Sequence, residues 1–404
     1  MSRLLRFAPV VFALIGAAML LPSRGATVPL YAARTGLQCG TCHFDPNGGG
    51  GRNEFGFAFA KNRHAIEPET GGEFADLALR NRVGDDFPLY FGLNQRFMLL
   101  ADHQEVGSLP DASGFFNMES GIHLTFQPTS RLTMSYSNIT SPSGIASTRD
   151  AWGMISFGSH YLRAGQFRLP FGLRMDDHTV ATRNTFLDYQ SQQRFLPYDP
   201  HSSDRGVEFG ASHGNFFGRT SWTNGVSALG GNPPTPGRHP QAIAAKLGYA
   251  MSKYQGGVSV YDEWHATGAT SSARASRWGY YGMTHAGNVA VLGEIAAGTD
   301  QVESESGIER KNLLAGWVEA DWSPHRRYNV RVRYDHAEMD RASDKPTRDL
   351  SSYNRYALEG EYVPLPFAEI RWTLRLIDPI AEKNQFDEKL PTEKQGYIQF
   401  HFSY

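Results

Sequence analysis

The chain has almost no cysteine: two residues in 404. That excludes a disulfide framework as the source of its stability. It also argues against a structural zinc site, which takes about four Cys/His ligands, commonly from two CxxC-type pairs. Long apolar runs are equally scarce. Beyond the N-terminus none approaches the roughly 18 residues of a membrane-spanning helix. No charge sign dominates, with 39 basic against 41 acidic residues and a formal net charge of −2. Neither nucleic acid nor a soluble acidic partner is therefore indicated.

What is present is concentrated. Both cysteines fall in one pentapeptide, Cys39-Gly40-Thr41-Cys42-His43, the spacing of a c-type haem attachment site. In that reading Cys39 and Cys42 form thioethers to the porphyrin, and His43 is the proximal iron ligand. A thioredoxin-like CxxC would sit in a βαβ pattern, whereas FDPNGGGGRNEFG follows here. The run Asn47–Arg52 lacks the Gly-Lys-Ser/Thr ending of a phosphate loop and reads as flexible chain. Residues 53–64 carry Phe55, Phe59 and Ala60 at helical spacing behind a capping Asn53.

His64 is the other histidine ahead of the strand-rich region, and residues 27–86 hold no methionine. A bis-histidine haem through His43 and His64 is the expectation. Met98, Met118, His103 and His123 are alternative donors should the haem lie among the strands, and an open or water-ligated iron is a further one.

Residues 1–25 read as a secretory signal: Arg3 and Arg6, an apolar core Phe7–Leu21, then a small-residue exit near Gly25. The apolar core of about 15 residues is short for a spanning helix. Export agrees with covalent haem attachment in bacteria.

From residue 87 to 404 the pattern has period two. Leu89, Phe91, Leu93, Phe97 and Leu99 share one face, and Tyr90, Asn94 and Arg96 the other. Phe116, Met118, Ile122, Leu124 and Phe126 oppose Asn117, Glu119, His123, Thr125 and Gln127. Ile370, Trp372, Leu374 and Leu376 oppose Glu369, Arg371, Thr373 and Arg375. A soluble sandwich also alternates, but here the connections alternate short and long across about sixteen strands, as in outer-membrane barrels. The long ones fall near 101–113, 140–150, 172–203, 225–239, 264–275, 300–310, 339–351 and 378–394. The last strand ends on Tyr404, which resembles the assembly signal of bacterial outer-membrane proteins.

The expectation is an all-β fold: a transmembrane antiparallel barrel, with a haem segment at 26–86 and the barrel at 87–404. Short turns inside and an even strand number put both barrel ends on the periplasmic side. A barrel of about sixteen strands leaves a channel unless filled, and a 60-residue segment builds a poor core of its own. The haem segment is therefore expected to plug the barrel. Asp176-Asp177-His178 in the longest loop reads as solvated chain, with a metal site at the outer mouth as the alternative. The charges Arg331, Arg333, Asp335, Glu359, Glu361, Glu369, Arg371 and Arg375 are expected to face inward, a mix that points to no single solute.

Two resemblances follow. RAGQFRLPFG (163–172), DRGVEFG (204–210) and TNG (223–225) are similar to the phosphate-selective porin O/P family, which implies a sixteen-stranded porin fold. Signal, one CxxCH and a porin-like barrel in one chain resemble the fused monohaem cytochrome–porins of iron-oxidising bacteria. That resemblance carries over to Cys39, Cys42 and His43. It implies electron transfer across the outer membrane, from extracellular Fe(II) to a periplasmic carrier such as a cytochrome c. Such a protein is a redox carrier rather than a conventional enzyme. The rival readings are a solute-conducting porin with a periplasmic haem segment, and a haem peroxidase or reductase tethered to the membrane.

Overall fold

A computed structural model describes residues 30–68, 79–84, 86–104, 112–140, 146–173, 180–182, 202–225, 242–266, 272–304, 307–339, 352–380 and 392–404. The expected signal at 1–25 lies outside the described residues. Among the described residues three short helices precede the strands: α1 (Leu30–Thr35), α2 (Cys39–Cys42) and α3 (Glu54–Lys61).

Sixteen antiparallel strands follow and close into a barrel in simple sequential order. They are β1 (Leu89–Gln104), β2 (Ala112–Thr129), β3 (Leu132–Thr140), β4 (Ala146–Phe157), β5 (His160–Arg168), β6 (Ser203–His213), β7 (Phe216–Thr223) and β8 (Ala242–Ala250). The second half comprises β9 (Tyr254–Ala266), β10 (Ser272–Ala286), β11 (Val289–Ser304), β12 (Gly307–His325), β13 (Tyr328–Met339), β14 (Tyr353–Leu365), β15 (Ala368–Pro379) and β16 (Glu393–Ser403). β1 pairs with β16 from Asn94↔Ser403 to Gln104↔Glu393, so no sheet edge is left open.

The alternation sorts by polarity as expected of a barrel with apolar outside and polar inside. On β13 Val332 is 59% exposed while its neighbours Arg331 and Arg333 are buried. The buried inner wall carries ion pairs, among them Arg331–Glu361 at 3.2 Å and Arg355–Asp335 at 2.9 Å. The short turns gather at one mouth, where β1 begins and β16 ends.

Three departures have local causes. The register of β1 against β2 steps from Arg96↔Glu119 to Phe97↔Asn117, skipping Met118. This bulge reverses the facing of what precedes it. Phe115, 79% exposed, therefore takes the outer face in place of the expected Phe116. Second, β11 and β12 remain paired out to Ser304↔Gly307. The length expected of a loop near 300–310 is taken up by ladder, because polar residues pair as strand as readily as they form loop. Third, the longest connection turns inward after β5. Leu169, Phe171, Leu173, Val180 and Ala181 are almost wholly buried, and Asp176, Asp177 and His178 lie outside the described residues.

Candidate functional site

Residues 31–63 occupy the barrel interior at the short-turn mouth. Arg34 donates to Asp321 of β12 at 2.8 Å, and Arg163 of β5 to Asp45 at 2.7 Å. Arg168 donates to the Gly48 carbonyl, Arg52 to the Ser403 carbonyl and Arg63 to the Pro364 carbonyl. The inward loop meets the plug from the other side. Its Leu173 and Val180 share an apolar cluster with Ala32, Ala33 and Cys39. Lys246 holds the loop through the Gly172 carbonyl, Glu294 through the Leu173 N–H and Asp335 through the Ala181 N–H.

The motif is held by its neighbours in sequence. α2 ends where the His43 N–H donates to the Cys39 carbonyl at 2.7 Å. His43 then pairs with Arg52 in an antiparallel bridge, and the Phe44 N–H donates to the Gly51 carbonyl. The intervening glycines permit the tight return, with Gly48, Gly49 and Gly50 all at positive φ. A Cβ on Gly48 would lie 2.7 Å from Cys39 Sγ, so only glycine fits beside that thiol. α3 starts at Asn53, whose side chain accepts from the Gly56 N–H at 2.9 Å. Gly56 lets α3 pass against the Cys42 carbonyl, which a Cβ would overlap.

Cys39 and Cys42 are not joined in a disulfide, the first being buried and the second half-buried. Burial pushes the Cys42 thiol up from its ordinary value. His43 is half-buried, its Nδ1 is buried without a hydrogen-bond partner, and its pKa is lowered to about 4, first by desolvation and then by Arg52. Beside it lies a cavity of about 220 Å³ between the plug and the inner faces of β1, β2, β15 and β16. His43, Gly49, Gly50, Gly51, His123 and His401 line it, with Arg52, Arg96, Arg149 and Arg371 set against Glu119 and Glu369.

His43 and the charged groups of this lining are of the kinds a haem would use, but neither Cys39 nor Cys42 lines the cavity. A buried imidazole nitrogen without a partner is costly, and an iron ligand or its orienting acceptor is what such a nitrogen lacks. Four guanidiniums against two carboxylates favour a ligand bearing acidic groups.

His64, the expected second ligand, has a hydrogen-bonded Nδ1 and a buried Nε2 with no hydrogen-bond partner. Its Nδ1 is 3.0 Å from the Tyr31 hydroxyl, its ring stacks on Tyr31 at 4.3 Å, and its Nε2 lies 3.5 Å from Glu369 Oε1. It does not line the cavity that His43 lines, whereas Tyr31 does. Of the alternative donors, Met98 and Met118 do not line it either, His123 does, and the side chain of His103 lies outside the described residues. Tyr31 and His401 carry no sequence signal of a role here. His401 is brought to the site by the barrel's closure and Tyr31 by the helix α1 of the plug.

The fold and this interior define a porin-like barrel of sixteen strands with an inward-folded loop and an N-terminal plug. Solved structures share it. OmpF of Salmonella typhi, solved in complex with daunomycin, is 9% identical with a TM-score of 0.57, over 79% of this chain and 98% of that one. The anion-selective porin from Comamonas acidovorans is 8% identical with a TM-score of 0.58, over 78% and 99%. The outer membrane channel DcaP of Acinetobacter baumannii is 11% identical with a TM-score of 0.58, over 78% and 97%. At these identities the likeness is one of fold. No family model matches the sequence, and no curated protein does.

Proposed function

We propose that the chain is an outer-membrane electron carrier, a porin-like barrel whose plug binds one haem c through Cys39 and Cys42 with His43 as proximal ligand. The observation that carries this is the His43 Nδ1, buried without a hydrogen-bond partner, on a residue that lines a cavity of about 220 Å³ and directly follows Cys42 in the CxxCH motif. A bound haem supplies one-electron chemistry. The protein's own residues hold and insulate it: Arg52, Arg96, Arg149 and Arg371 offer charge to its acidic groups, and the barrel excludes lipid. Barrel ends and plug lie at the short-turn mouth, the periplasmic one in this reading. Electrons from extracellular Fe(II) would pass to a periplasmic carrier such as a cytochrome c. The resemblance to cytochrome–porins supports that donor and acceptor.

The test has two parts. Expressed with cytochrome c maturation, the denatured polypeptide should retain haem, and Cys39→Ala with Cys42→Ala should lose it. Anaerobic Fe(II) should then reduce the haem. Retention without reduction would leave the cofactor and remove iron as donor.

The solved neighbours speak more directly for a second reading, a solute-conducting porin. Its specific support is the inward loop, which narrows the interior without a haem being required. Single-channel recording separates the two. A barrel that conducts equally with and without residues 30–68 is a porin with an incidental plug.

A further inference from the structure

A second cavity lies at the short-turn mouth, in the seam between plug and wall. It measures about 470 Å³ and is bounded by α1 and the chain leading into α2 on one side, and by the β8–β9 turn and the inner face of β10 on the other. One water takes up about 30 Å³ and small-molecule sites run from about 300 to 1,000 Å³, so the space suits an organic ligand.

Register explains the lining. Ala250 of β8 pairs with Gln255 of β9, which pairs with Met283 of β10, and residues directly opposite in a ladder share a face. All three line the cleft, an amide between two apolar side chains. Ala250 and Met283 belong to the apolar cluster that also holds Ala32, Ala33 and Cys39, so the floor is apolar. At the edge plug and turn touch, because a Cβ on Gly36 would overlap the Ser252 carbonyl.

Gln255 is the odd group. It is 4% exposed, yet its Nε2 is buried with no hydrogen-bond partner among the described residues. Neighbouring polar groups bond one another: Thr284 Oγ1 donates to the Lys253 carbonyl at 2.8 Å, and His285 Nε2 to the Ser252 carbonyl at 3.0 Å. A buried donor without an acceptor is costly. Among the described residues the lining carries one cation, Lys253, and no carboxylate. A ligand that completes it has an apolar body for the floor and an anionic acceptor for Gln255 and Lys253.

We infer that this cleft binds a small organic carboxylate with an apolar body, its carboxylate accepting from Gln255 Nε2 and facing Lys253. The site spans α1, α2 and β8 to β10, so an occupant fastens the plug to the wall and stabilises the plugged form by mass action. It requires neither a haem nor an open channel, and its fate is separate from both readings above.

The test uses the full-length protein in detergent, with folded barrels identified by heat-shifted gel migration. Benzoate, phenylacetate and hexanoate are titrated calorimetrically, with acetate as the probe that lacks an apolar body. At least one of the first three should bind saturably at one site and raise the unfolding midpoint, and acetate should do neither. Gln255→Leu keeps the size of the side chain and removes the donor. It should weaken binding about tenfold, the worth of a hydrogen bond to a charged group. Lys253→Ala should weaken it severalfold, and Leu37→Trp, which fills the cleft from the plug side, should abolish it. Should Gln255→Leu fail to fold, the other two variants carry the test. Saturable binding by none of the three probes, or wild-type binding by folded Gln255→Leu or Leu37→Trp, overturns the inference.

Discussion

Arg52 Nη1 donates to the carbonyl oxygen of Ser403 at 2.7 Å, joining the plug to the last strand of the barrel. Arg52 also bridges His43 through its backbone and accepts from Asn81 Nδ2 at 2.7 Å. One residue thus connects His43, Asn81 ahead of β1 and the closing strand. Around it Phe57 packs on Phe367 and Tyr404 with ring centroids about 5 Å apart, at 4.9 and 5.0 Å. Arg52→Ala should lower the unfolding free energy by about 2–3 kcal/mol, the cost of losing a charged hydrogen bond in a buried place. Denaturant unfolding in detergent measures it, and an unchanged midpoint would mean the plug is held elsewhere.

Arg163 is a second fastening point. It bonds Asp45 Oδ2 and Glu208 Oε1, both at 2.7 Å, and all three side chains are buried. Glu208 also accepts from Tyr161 at 2.7 Å and from Asn47 at 3.1 Å. Arg163→Met strands two buried carboxylates and should cost about 3–5 kcal/mol. Protease sensitivity near residue 45 should appear before the barrel melts. Simultaneous loss of both would show that plug and barrel unfold as one unit.

Gly56→Ala opposes two effects. Helix propensity alone favours alanine by about 1 kcal/mol. The added Cβ would overlap the Cys42 carbonyl, which forces α3 away from α2, and that clash outweighs the propensity gain. The variant should show less covalent haem per barrel. Wild-type loading would mean that α3 shifts freely.

His64 makes stability depend on pH. Burial, with Arg52 adding, lowers its pKa from 6.5 to about 4, against the pull of Glu369. Above pH 6.5 both folded and unfolded chains hold it neutral. Between 6.5 and about 4 the unfolded chain binds the proton and the folded one does not, so stability falls as pH falls. The full loss is about 3 kcal/mol. His64→Gln should remove that slope, which unfolding midpoints from pH 8 to 4 would reveal.

Removing residues 30–68 should open the short-turn mouth, where Arg34, Asp45, Asn47 and Arg63 now bond the wall. Planar-bilayer conductance should rise severalfold. The inward loop at 169–173 and 180–182 stays in place and keeps the deletion below a fully open pore.

Much of the barrel was legible because a closed sheet between two solvents writes itself as alternation. Val332 against Arg331 and Arg333, or Leu374 against Thr373 and Arg375, carry the pattern residue by residue. Loop parity gave the strand number for the same reason. The bulge at Met118 was not legible, since one extra residue leaves both apolar faces plausible until the partner strand fixes register. Nor was the inward turn of Leu169–Leu173, whose apolar residues find their partners on strands far along the chain.

The sequence by itself determined the sixteen-stranded alternation and the Cys39-Gly40-Thr41-Cys42-His43 motif, because period-two polarity and attachment spacing are local properties. Only the tertiary structure decided which side chains share the cavity. Closing β1 on β16 brings His123, Glu369, Arg371 and His401 around His43, and His64 Nδ1 meets the Tyr31 hydroxyl. Neighbourhood in a barrel is set by circumference and register, and a chain read end to end contains neither.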